Sequence, residues 1–202
     1  MRSAPPGADP QRAAFTLLEL LAVLGLIAIL AGIVIGVGRR TTEASQVART
    51  RAELAAFSAA LEDYRQAYGS YPAVAADATV DATESGRQLF AALTGWRGPA
   101  LDAPAFPRPQ RAMLETARFT LGSPGAPDPG ANYFIDPWGN PYHYTFLGGS
   151  GGWRNPSYVL LSAGPDGRAI LPIPADGIVG EAFASARQDG VPVNADNLYA
   201  NR

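Results

Sequence analysis

The chain has 202 residues and a formal net charge of -2, contains no cysteine, and takes all sixteen of its cationic side chains from arginine. Without Cys there is no thiol catalysis, disulfide stapling or cysteine metal site, and without Lys there is no Schiff-base chemistry. A pI near 5.4 argues against a strongly basic nucleic-acid surface.

The first predicted element is a long apolar helix behind a short leader that holds Arg2 and Arg12. From Leu20 to Gly38, nineteen residues carry no charge. At about 1.5 Å per residue they reach roughly 28 Å, near the hydrocarbon thickness of a bilayer. The run exceeds the apolar region of about 7 to 15 residues found in removable secretory signals, so it is read as retained. Glu19 stands at its entrance. A charge at the middle of a span costs roughly 2.5 to 3.5 kcal/mol, and less near an end, so this carboxylate calls for a partner or for water at the headgroup level.

The block Phe15-Thr16-Leu17-Leu18-Glu19 behind a basic leader resembles the cleavage and methylation segment of type IV prepilins and type II secretion pseudopilins. The resemblance implies a prepilin peptidase cut between Ala14 and Phe15, N-methylation of Phe15, and pairing of Glu19 with a Phe15 amine. Family members carry Gly before the cut, whereas this chain has Ala14, also a small residue. An α-amine with a pKa of about 7.7 to 8.0 is cationic at neutral pH and lies one helical turn from Glu19. The pair closes within one chain or between two, and between two it fixes the axial stagger of neighbouring helices. Arg39, Arg40, Arg49 and Arg51 follow the run, and counted alone they would keep the C-terminal part cytoplasmic. The resemblance implies the opposite orientation, with the leader cytoplasmic and the head periplasmic.

Beyond the span, Val47, Leu54, Phe57, Leu61, Tyr64 and Tyr68 recur at intervals of 7, 3, 4, 3 and 4 and share one helical face. One helix from about Phe15 to Tyr68 is expected, in lipid over 15–38 and against a head over 39–72. Gly25, Gly32, Gly36 and Gly38 weaken its middle. The Gly32-x-x-x-Gly36 spacing fits a close helix contact, a bending point, or ordinary glycine in a membrane helix. Gly69-Ser70-Tyr71-Pro72 ends the helix.

From residue 73 to 132 the composition turns to Ala, Pro, Gly and Asp, which predicts an irregular connector. One helical piece is expected inside it, Glu84 to Trp96, with Leu89, Phe90, Leu93 and Trp96 facing one way. Met113, Leu114 and Phe119 are further contact candidates. Over 133–202 an antiparallel sheet head and tail are expected. Asp136-Pro137-Trp138-Gly139-Asn140-Pro141 is rich in turn formers, Tyr142 to Phe146 and Tyr158 to Ser162 read as strands, and the glycine-rich 147–155 joins them. Residues 177–202 read as turns.

Asp136 to Tyr142, with Ser162-x-Gly164-x-Asp166-Gly167, resembles the head of the major pseudopilin of type II secretion. The implied fold class is α+β, a long N-terminal helix packed on a small antiparallel sheet. The implied function is a filament subunit that drives protein export from the inner membrane. The implied partners are other copies of the chain, minor pseudopilins, prepilin peptidase, the inner-membrane assembly platform and lipid. The resemblance also implies calcium in the loop after the second strand, here with Asp166, Asp176 and Ser162, although only two carboxylates are present and calcium takes six to eight oxygens. A plain Asp-Gly turn at 166 and 167 is the alternative.

A type IV pilin shares the first fifty residues, and a membrane-tethered binding domain would keep its N-terminus uncut. Gly148-Gly149-Ser150-Gly151-Gly152 formally matches a nucleophile elbow, with His143 nearby. That pattern needs a strand followed by a helix, whereas Ser150 falls between two predicted strands, so no enzymatic activity is expected.

Overall fold

The computed structural model describes residues 16–75, 81–100, 106–123, 132–149, 152–168, 173–188, 191–192 and 197–200, with the backbone alone at 33–41, 182, 188 and 191–192. The chain divides into two compact units, Met1–Ala44 and Ser45–Arg202. Helix α1 runs Leu17–Tyr68 over 52 residues. It stops where the sequence predicts. Gly69 takes a left-handed φ of 80°, and its N–H donates to the Arg65 carbonyl at 2.8 Å, a conformation in which a side chain would be strained.

In the second unit the predicted apolar face of α1 is the buried one: Leu54, Phe57, Leu61 and Tyr64 are all but inaccessible, and Val47 and Tyr68 at its ends are half-buried. Helix α2 spans Ala82–Leu93 and is capped by Asp81, whose carboxylate accepts from the Thr83 and Glu84 N–H groups at 2.8 and 3.3 Å. The predicted piece from Glu84 to Trp96 therefore begins two residues early and closes three residues early. At Gly95, with φ 83°, a Cβ would stand 2.6 Å from the Gln110 carbonyl oxygen. Leu89, Phe90 and Leu93 are buried as expected, and Trp96 lies beyond the helix, half-buried.

Strand β1, Thr120–Gly122, pairs antiparallel with β2, Tyr133–Ile135, placing Leu121 opposite Phe134. The stretch 73–132, expected as irregular apart from that one helical piece, also contributes a 3-10 turn at Thr116–Arg118 and a strand. Strand β3, His143–Thr145, pairs antiparallel with β4, Val159–Ser162, with Tyr144 opposite Leu160, which is the predicted hairpin. In the tail lie α3 (Glu181–Ala184), the pair β5 (Arg187–Gln188) and β6 (Val191–Pro192), and β7 (Leu198–Tyr199). Strand β7 pairs antiparallel with β4 and completes a three-stranded sheet of order β3-β4-β7. The tail therefore closes the sheet, where only turns were expected. Two-residue strands carry no alternation to read.

The layout is α+β and pilin-like: a long N-terminal helix, then a small antiparallel sheet with further helices. Aromatic rings join the elements of the second unit. Phe57 of α1 meets Phe119, Phe134 and Tyr142 at centroid distances of 4.8, 4.8 and 5.1 Å, and Phe134 reaches Phe90 of α2 at 5.2 Å. A second group sets Tyr71 against Phe146 and Tyr158. Polar anchors fix the register of helix and sheet. Buried Glu53 accepts from Arg49 Nε and from the Tyr142 hydroxyl, both at 2.7 Å, and Arg49 Nη2 donates to Thr120 Oγ1 of β1 at 2.9 Å. Burial, with Glu53 holding the phenolic proton, pushes the Tyr142 pKa far up, so the phenol stays a donor. The Gln46 side chain donates to the Pro137 carbonyl at 3.3 Å.

Candidate functional site

Two regions carry the residues singled out in the sequence: the N-terminal segment in the first unit and the loops around β4 in the second. In the N-terminal segment, Thr16 Oγ1 accepts from the Glu19 N–H at 3.2 Å, and Glu19 Oε2 accepts from both Thr16 N and Thr16 Oγ1 at 3.0 Å. This reciprocal arrangement is a capping box, in which residues three apart satisfy amide donors that the first helical turn leaves open. Glu19 therefore has a partner inside its own chain. The Thr-x-x-Glu spacing is the sequence signal of this cap. Ala14 and Phe15, the expected cleavage and methylation residues, lie outside the described residues.

Around the helix on both sides of Glu19, Leu17, Leu18, Leu20, Leu21, Val23, Leu24, Leu26, Ile27, Ile29 and Leu30 are all exposed. At 100° per residue these positions cover every side of the cylinder rather than a stripe. Exposed apolar area of this extent calls for a cover from lipid or from other protein. Gly25 and Gly32 have open space where a Cβ would stand. Among the described residues no helix is long and apolar enough to cross a membrane. The expected span over 15–38 includes Phe15, outside those residues, and positions 33–38, where only the backbone is described.

In the head, Ser162 is buried and gives its hydroxyl proton to Asp136 Oδ2 at 2.6 Å. Asp166 Oδ1 accepts from Arg168 N at 2.8 Å, and Asp176 Oδ1 accepts from Ile178 N at 3.0 Å. Each aspartate thus folds its own turn. Among the described residues no three His, Asp or Glu side chains gather where they could hold a metal ion. Ser162, Asp166 and Asp176 offer two carboxylates and one hydroxyl, each already in a protein hydrogen bond. Asp136, unremarked in the sequence except as a turn former, is the carboxylate that joins two loops here. Glu53 was also missed, although its place four residues before Phe57 puts it on the buried stripe.

His143 on β3 is 6% exposed, and burial lowers its pKa to about 4 against the opposing pull of the Asp81 carboxylate. It sits opposite Leu161 in the sheet. Ser150, the serine of the glycine-rich pattern, lies outside the described residues.

Residues 9–35 match the family model described as the prokaryotic N-terminal methylation motif. The match contains the predicted cut, Thr16 and Glu19, and the chain accordingly carries a segment of the type IV pilin-like prepilin kind at its N-terminus. No curated protein and no solved structure matches the chain.

Proposed function

We propose that the chain is a structural subunit of a type II secretion pseudopilus, cut before Phe15, N-methylated there, and assembled through its N-terminal helix. One observation carries this reading: within a methylation motif, a helix apolar on every side leaves its aliphatic side chains uncovered. Before assembly, lipid of the bacterial inner membrane covers them, with the head in the periplasm. In the filament, the apolar helices of neighbouring copies replace lipid, so transfer between the two states exchanges one apolar environment for another. Packing and the Glu19 pair then decide the geometry.

Glu19 changes partner on assembly. In the single chain its carboxylate serves Thr16; in the filament it meets the methylated Phe15 amine of the next copy, exchanging bonds from a neutral amide and hydroxyl for a contact between opposite charges. Growth on the inner-membrane platform, with minor pseudopilins and after prepilin peptidase, moves exported proteins outward. The Asp136-Pro137-Trp138-Gly139-Asn140-Pro141-Tyr142 block favours the pseudopilin over an adhesive or motile type IV pilin.

Glu19→Ala tests the pairing. The variant is expected to enter the membrane and to be cleaved, because apolar length and the peptidase site are unchanged, yet to give no filaments in sheared-cell fractions. Filaments at the level of the natural chain would remove Glu19 from the assembly mechanism.

A further inference from the structure

We propose that the head is held together without calcium, by the buried carboxylate of Asp136 acting as the bridge between the β2–β3 turn and the loop after β4. Asp136 is 2% exposed, and a carboxylate so placed persists only when donors satisfy it. Three do. Oδ1 accepts from Trp138 N at 3.0 Å and Asn140 N at 2.8 Å, and Oδ2 accepts from Ser162 Oγ at 2.6 Å.

The circuit then continues across the two loops. Ser162 Oγ accepts from Gly164 N at 3.1 Å, and Asn140 Nδ2 donates to the Gly164 carbonyl at 2.9 Å. The two segments approach closely: a Cβ at Gly167, whose φ is +66°, would lie 2.8 Å from Asn140 Oδ1. A loop-bound cation gathers side-chain and carbonyl oxygens from separate segments onto one centre. Here protein donors gather the segments onto one carboxylate.

Among the described residues of this loop, further oxygens accept from protein donors in the same way. The Gly164 carbonyl accepts from Asn140 Nδ2 and from Gly167 N. The Asp176 carbonyl accepts from Arg154 N at 2.9 Å and Asn155 N at 3.1 Å, and the Pro174 carbonyl accepts from Gly177 N at 2.8 Å. Asp166 and Asp176 each spend a carboxylate oxygen on the amide two residues ahead. These bonds tie the described parts of the loop to their neighbours without a cation.

This inference concerns the head alone and does not rest on the filament reading. The test is a thermal melt of the full chain in detergent, followed by the fluorescence of Trp96, Trp138 and Trp153, in calcium chloride and in EDTA. The natural chain is expected to give the same midpoint in both. Asp136→Asn, which turns an acceptor oxygen into a donor facing donors, is expected to lower the midpoint by about 5 °C or more in both buffers. Should that variant fail to fold, Ser162→Ala reads the same circuit through loss of one bond, with a smaller drop in both buffers. A calcium-dependent rise in the natural chain, or variants that melt with the natural chain, would overturn the proposal.

Discussion

Replacing Phe57 by alanine is expected to remove about 3 to 5 kcal/mol from the stability of the Ser45–Arg202 unit. The ring is fully buried and touches rings from three places in the chain, Phe119 before β1, Phe134 of β2 and Tyr142 before β3. The loss has two sources. The transfer energy of the ring is forfeited, and a cavity is left that α1 cannot close, because Glu53 and Arg49, one and two turns earlier, tie the helix to Tyr142 and Thr120. Aromatic contacts worth about 0.5 to 1.5 kcal/mol each are lost with it. Against a total of about 5 to 15 kcal/mol for a natural domain, the variant is marginal. Urea denaturation of the full chain in detergent, followed by tryptophan fluorescence, measures the change, and a difference below about 1 kcal/mol would show that Phe57 is not the centre of this core.

The second large effect is one of pH. His143 titrates at about 4 in the folded chain, because burial disfavours its cation more than the Asp81 carboxylate favours it. Unfolded, an imidazole titrates near about 6.5. Between these values the unfolded chain binds more protons, so stability rises with pH across this window. The contribution is complete above about pH 6.5 and is lost as the pH falls toward 4. A gap of about 2.5 at roughly 1.36 kcal/mol each sets its ceiling near 3 kcal/mol. Carboxylates also titrate toward the lower end of this window, so the comparison is with His143→Gln. The natural chain is expected to lose stability between pH 6.5 and 5, and the variant to lose much less there. Parallel pH profiles for the two would place the buried imidazole outside the linkage.

How far the sequence carried this account depended on how local each signal was. The helix and its buried face were legible because Leu54, Phe57, Leu61 and Tyr64 repeat at helical spacing within one continuous element. The hairpin of β3 and β4 was legible because its two strands are rich in aromatic and aliphatic residues and are separated by a glycine-rich loop. Strands β1 and β7 were not. Each is two or three residues long, and β7 exists through its pairing with β4, whose partner residues Leu161 and Ser162 lie far back in the chain. Composition cannot report such a partner.

The same division runs through the candidate sites. Glu19 stood out because a charge beside nineteen uncharged residues is conspicuous, and Thr16 went unnoticed although the three-residue spacing was present. Asp136 was hidden by its neighbours: in a run of turn formers an aspartate reads as one more, and its bond to Ser162 joins residues 26 positions apart. Ser162, Asp166 and Asp176 are oxygen donors in the sequence. What they do in the folded head is hold loops through protein hydrogen bonds.

The most direct test of the central claim is the mass of the N-terminal peptide of the protein purified from its native membrane. A processed subunit begins at Phe15 and carries one methyl group on its amine. An unmodified chain still retaining residues before Phe15 would contradict it.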